Sequence, residues 1–140
     1  YEIVFGDWSS DVGSSDLAAM HSVNWAAYAV GSMLKVKPVL HANQDNTGPV
    51  GKVRGFESGV TSLFARAERQ IAQGLDVPCI CVSYGGPVDR VSAMPGFATM
   101  EKAANAAGVE VLVSHMSQTA AINVGAGALC VAFAAHGHQV

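Results

Sequence analysis

Charge is scarce in this chain of 140 residues: 8 Lys+Arg against 11 Asp+Glu, together 14% of the sequence and a net charge of -3. Average soluble proteins carry roughly a quarter charged residues. With no basic excess and no basic stripe, a nucleic-acid partner held by phosphate neutralisation is not expected. Half of the chain is hydrophobic, which excludes intrinsic disorder. Cysteine is also sparse. Cys79, Cys81 and Cys130 are odd in number and sit in apolar runs, so they read as reduced core thiols and not as a disulfide framework. No unbroken apolar run reaches eighteen residues, so no membrane span is expected. Tyr1-Glu2-Ile3 lacks the basic start and long apolar stretch of a secretory signal, and the expected compartment is the cytoplasm. The last absence is local. From Val111 to Val140 there is no Asp, Glu, Lys or Arg, so part of that stretch belongs to a core strand and part to a surface that meets a ligand or partner.

Catalytic patterns are missing as well. There is no Gly-x-Ser-x-Gly elbow and no His-Glu-x-x-His, and carboxylates are too few in the apolar half to supply a paired acid and base. The histidines His21, His41, His115, His136 and His138 are candidate bases without an evident nucleophile. His136-Gly137-His138 lacks a third metal ligand nearby. Cys79 and Cys81 are expected to point to opposite faces and so not to share an ion. The chain does not read as an enzyme, and neither a cofactor nor a metal is expected.

What is present gives the elements. Residues 1–16, including the polar run Asp7–Asp16, have no period and form an arm outside the domain. The run is similar to chimeric adapter-derived stretches, or else it is a flexible arm whose Asp16 caps the next helix. The domain is expected over 17–140. Between Leu17 and Leu34 apolar residues recur at three and four (Val23, Ala26, Ala27, Val30, Met33, Leu34), which predicts a helix. Strands are expected over Val36–Ala42 and Pro49–Arg54, joined as a hairpin by a long loop over Asn43–Gly48. A helix follows with Val60, Leu63, Phe64, Ala67 and Ile71 inward and Gly74 as its stop. Val77–Ser83 is a buried strand, and Phe97–Ala107 is a helix preceded by an irregular stretch from Val88. Val109–Ser114 is a strand, Ser117–Gly127 a loop and Ala128–Ala135 the last strand. This order predicts an α/β two-layer sandwich, a mixed sheet of about five strands packed against helices.

Two features suit an anion. Lys52 and Arg54 share a face by strand period just before a helix start, and the planar fork of arginine fits a carboxylate or phosphate. The plainer alternative is a pair of solvated strand-end charges. Asn123-Val124-Gly125-Ala126-Gly127-Ala128 precedes the last strand, where glycines allow a tight turn and successive N–H groups can form an anion nest. The plainer alternative there is an ordinary turn. Together the two features describe an apolar domain with a small anion-binding mouth, as a fatty acid requires.

Gly31-Ser32-Met33-Leu34-Lys35-Val36-Lys37-Pro38-Val39-Leu40, Gly51-Lys52-Val53-Arg54 and Gly125-Ala126-Gly127-Ala128-Leu129 resemble, in order and spacing, the C-terminal half of DegV family proteins. The family pattern runs Gly-Ser-Leu-Leu-x-Ile-Lys-Pro-Ile-Leu, Lys-Val-Arg-Thr and His-x-Gly-Pro-Gly-Ala, and the likeness spans about Ser22–Ala135. The resemblance implies a bacterial carrier that holds one long-chain fatty acid, such as palmitate, in a cleft between two α/β domains. It also implies a partner, a fatty acid kinase, to which the carboxylate is presented for phospholipid metabolism. The carried-over contacts are Arg54, with Asn123, Gly125 and Gly127. Val30, Met33 and Leu34 are expected to touch the tail, on the strength of their helix face. Asn123 replaces the family's loop histidine, Ala126 its proline and Gly55 a frequent threonine. An amide still donates a hydrogen bond but cannot become a cation. The family's N-terminal domain, with its Asp-Ser-Ser/Thr and Ser-Gly-Thr segments, has no counterpart here, so the expectation is a half-site whose exposed cleft face favours self-association. The alternatives are a structural domain fragment with no ligand binding of its own, and an enzyme that takes a phosphorylated substrate on the glycine loop.

Overall fold

The computed structural model describes residues 2–4, 36–43 and 46–135. The expected helix over Leu17–Leu34, the polar run Asp7–Asp16 and the histidines His21, His136 and His138 lie outside these residues. So do Val30, Met33 and Leu34. The described elements are β1 (Glu2–Val4), β2 (Val36–Asn43), β3 (Asn46–Arg54), α1 (Phe56–Gln73), β4 (Cys79–Tyr84), a 3₁₀ turn (Val88–Ala93), α2 (Phe97–Ala106), β5 (Glu110–His115), α3 (Gln118–Val124) and β6 (Leu129–Phe133).

The six strands form one mixed sheet in the order β3-β2-β1-β6-β4-β5. Neighbours are antiparallel except β4 and β5, which run parallel. That single parallel pair needs a crossover, and the 3₁₀ turn with α2 provides it.

Period 2 sorts β4 cleanly. Ile80 and Val82 are fully buried while Cys81 is exposed. On neighbouring β6, Leu129 and Val131 are buried in the same layer. Against that layer α1 sets Val60, Leu63, Phe64, Ala67 and Ile71, the residues its 3.6 period selects, all buried. From α2 come Phe97, Met100 and Ala104, with Phe97 edge-on to Phe64 at 5.5 Å between ring centroids. Gln70, buried near the end of α1, has its amide donating to Gly74 O at 3.1 Å, which offsets the cost of placing that polar group in the apolar layer. Gly74 ends the helix as expected, its N–H donating to Gln70 O and Ile71 O.

Five sequence expectations need correction. The arm over 1–16 contains a strand: Glu2–Val4 lies in mid-sheet, paired with both β2 and β6, so the sheet has six strands where about five were expected. The hairpin loop is short, because β2 and β3 continue through most of Asn43–Gly48 to the pair Asn43–Asn46. The expected loop from Ser117 holds the short helix α3, capped by the Ser117 hydroxyl accepting from Ala120 N at 3.2 Å. The cysteines are not core thiols. Cys81 is exposed, and Cys79 and Cys130 are half-buried. Cys79 and Cys81 share a face, with Sγ atoms 4.0 Å apart, because residues i and i+2 of a strand point the same way.

Candidate functional site

Strand direction gathers several segments at one end of the sheet. β3 finishes there at Arg54, β4 at Tyr84 and β5 at His115, while β6 begins there at Leu129. Lys52 and Arg54 are exposed, with half-buried Val53 between them packing on the core. The shared face predicted for the two cations therefore holds. Gly55 turns the chain into α1 at φ 84°, a value side chains rarely adopt, which suits glycine at a position where the family pattern has threonine. Glu57, also exposed, follows in the first turn.

Phe56 then stacks on Tyr84, with ring centroids 6.3 Å apart and planes 30° from parallel. Tyr84 leads into Gly85, which is zipped to the glycine loop. Gly85 N donates to Ala128 O at 2.8 Å, and Gly127 N donates to Gly85 O at 3.0 Å. A Cβ on Gly85 would sit 3.2 Å from Gly127 N, so the two backbones meet where a side chain would crowd them. Met116 N donates to Tyr84 O at 2.9 Å, bringing the end of β5, with exposed Ser114 and His115, to the same place. Arg54 and the glycine loop, more than 70 positions apart in sequence, thus lie at one end of the sheet, linked through Phe56, Tyr84 and Gly85.

The anion nest expected of the loop is not formed. Gly125 N donates to Ala121 O, Gly127 N to Gly85 O and Ala128 N to Gly125 O, so these N–H groups are engaged by backbone carbonyls. The loop is close-packed against Gly85 and poor in side chains. Asn123 belongs to α3, and its side chain lies outside the described residues. Sequence reasoning missed Tyr84 and Gly85-Gly86 as parts of this end. The signal is present in Ser83-Tyr84-Gly85-Gly86-Pro87, an aromatic followed by two glycines at a strand end. His115, a candidate base by sequence, ends β5 at this same end of the sheet.

Among the described residues no three His, Cys, Asp or Glu side chains gather as a metal site. No helix among them is long and apolar enough to cross a membrane. The described residues form an α/β domain whose exposed cations, Phe56–Tyr84 ring pair and glycine loop all lie along one end of the sheet.

Comparison with known proteins gives this class its family. The DegV family model, described as uncharacterised, matches residues 19–136. DegV domain-containing proteins of Xanthomonas campestris pv. campestris and Xanthomonas axonopodis pv. citri are each 46% identical over 118 and 117 residues, 84% of this chain in both cases. The chain belongs to the DegV family. It spans 38% and 37% of the length of those two relatives. Solved structures share the fold. The DegV fatty acid binding protein of Bacillus subtilis aligns with a TM-score of 0.59 at 18% identity, over 94% of this chain and 44% of that one. A DegV family protein of Eubacterium eligens loaded with heptadecanoic acid aligns with a TM-score of 0.58 at 14% identity, over 93% and 43%.

Proposed function

We propose that this chain contributes one wall of a long-chain fatty acid site and acts as a carrier, with no chemistry of its own. The acid's carboxylate sits at the sheet end, where Arg54 donates to it from the close of β3. Asn123, Gly125 and Gly127 border it from the other side, and Val30, Met33 and Leu34 line the tail. A palmitate-length acid is the ligand, and no metal or cofactor takes part. A second domain, such as the longer relatives have room for, supplies the opposite wall. The carboxylate is then presented to a partner kinase in the cytoplasm, which forms the acyl phosphate. What supports this reading is that Arg54 and the glycine loop lie at the same end of one sheet, with β2 and β1 between them, in a family whose solved members include fatty acid binding proteins.

One observation favours the second reading, a structural domain without ligand binding of its own. The loop's N–H groups are engaged internally, so head-group contacts would fall almost wholly on side chains. Native mass spectrometry of the chain purified from bacteria separates the two. A copurified long-chain acid, displaced by added palmitate, supports the carrier. A protein that emerges empty and leaves added palmitate unbound overturns it.

A further inference from the structure

On the sheet face opposite α1 and α2, Cys79 and Cys81 stand side by side on β4, with Sγ atoms 4.0 Å apart. Cys81 is exposed and Cys79 half-buried. We propose that this pair is a two-thiolate site for a soft metal ion of the Cu(I) class.

The spacing decides between the two things a close thiol pair can do. A direct disulfide needs the sulfurs at about 2.05 Å and Cα atoms usually no more than about 6.8 Å apart. Two residues along a strand separate the Cα atoms by roughly 6.6–6.8 Å, at the limit of that range. β4 cannot buckle easily to close the gap, because β5 and β6 pair with it along both edges. A bridging atom needs no such movement. With metal–sulfur bonds of about 2.3 Å, a 4.0 Å gap corresponds to an S–M–S angle of about 120°.

Coordination number then selects the metal. A structural zinc site requires four ligands, and among the described residues no third His, Cys, Asp or Glu joins the pair in a cluster. The third cysteine, Cys130, is on the same face, one register pair beyond Cys81, and hydrogen-bonds the Ser83 hydroxyl across β4 and β6. Two thiolates at that S–M–S angle fill two positions of a trigonal ion and leave the third to a soft donor from solution, and thiolate donors select Cu(I) over hard cations. Leu112 on β5 and Ala132 on β6 flank Cys81 in register, giving the bridge an apolar surround, and Glu110 lies beside Cys79. Capture is a substitution without electron transfer. Two S–H bonds break, two Cu–S bonds form, and two protons pass to solvent. Cys81 and Cys79 lie about 10 and 16 Å along β4 from Tyr84, and this metal site does not rest on the lipid reading.

The test is an anaerobic titration of the reduced chain with Cu(I) against a chromophoric Cu(I) chelator, followed by alkylation and peptide mapping. One ion per chain should bind, shielding Cys79 and Cys81 from alkylation while Cys130 reacts as it does without metal. Cys81→Ser, at an exposed position, removes a direct ligand and should weaken binding by more than the ~10–100-fold typical of losing a hydrogen-bond partner to a ligand, and Cys130→Ser should leave it unchanged. Absence of a one-to-one complex, equal binding by C81S, or protection centred on Cys130 would each overturn the proposal. Mapping on the unmutated chain keeps the answer clear if a variant folds poorly.

Discussion

Arg54 is exposed at the close of β3, the end strand of the sheet among the described residues, and its planar fork matches a carboxylate. A hydrogen bond to a charged group contributes about 1.5–3 kcal/mol. Arg54→Ala should therefore weaken palmitate binding by about ten- to a hundredfold, read by calorimetry, while thermal stability stays near that of the parent chain. Unchanged affinity removes Arg54 from the site.

Cys130 gives a second prediction of the same kind. Burial raises its thiol pKa above the ordinary value, the Cys81 sulfur adds to that, and a hydrogen bond with Ser83 opposes it. A group whose folded pKa is raised contributes fully below the unfolded value, near 8.5, and that contribution is lost as pH climbs through the folded one. The chain should lose stability above about pH 8.5, and Cys130→Ala should flatten the alkaline limb of a denaturant midpoint against pH profile. A slope untouched by the substitution would assign the alkaline loss to other groups.

Among the elements, α1 was legible because its apolar residues carry both the period and the burial. Val60, Leu63, Phe64, Ala67 and Ile71 are the residues that pack. Period 2 likewise placed Ile80 and Val82 inside, and the same rule, followed through, puts Cys79 and Cys81 together. Other elements had no such signal. β1 is three residues long, shorter than any window in which alternation can be counted, and its place in mid-sheet comes from pairing with β2 and β6, which no local pattern reveals. α3 is seven residues of mostly small or polar side chains, whose helix rests on the Ser117 cap and not on an amphipathic stripe. The site was half legible. Arg54 and the glycines were marked by composition, whereas Tyr84 became visible only when strand direction brought it to them.

The difference between a packed and an exposed element can be measured. Leu63→Ala empties a fully buried position between α1 and the sheet and should cost about 2–5 kcal/mol in denaturant unfolding. Ile122→Ala on α3, where Ile122 is 80% exposed, should change stability by no more than about 0.5 kcal/mol. Equal losses at the two sites would mean that α3 is packed in solution.

For the whole molecule, the bearing question is how much of a lipid one wall can cover. Full burial of a palmitoyl chain is worth on the order of 10 kcal/mol gross, at about 0.8 kcal/mol per methylene. If two walls share that burial, one wall supplies about half, and the loss of translational and rotational freedom removes at least about 4 kcal/mol from it. Binding by this chain alone should then be micromolar or weaker, on the scale where each ~1.4 kcal/mol is tenfold. The same incompleteness bears on solution state. Leu112 and Val113 on the edge strand β5 are 45% and 37% exposed, and Ile122 and Val77 are more exposed still. An apolar edge strand of this kind invites pairing with a second chain. Light scattering should therefore show dimers or larger species, shifting toward monomer when a long-chain fatty acid is added. Glu110 already blunts one end of β5, so Val113→Lys, which places a charge in its middle, should shift the distribution the same way without lipid. A strictly monomeric chain that binds palmitate at nanomolar affinity would mean that both walls of the site are present in these 140 residues, and the half-site reading would fall.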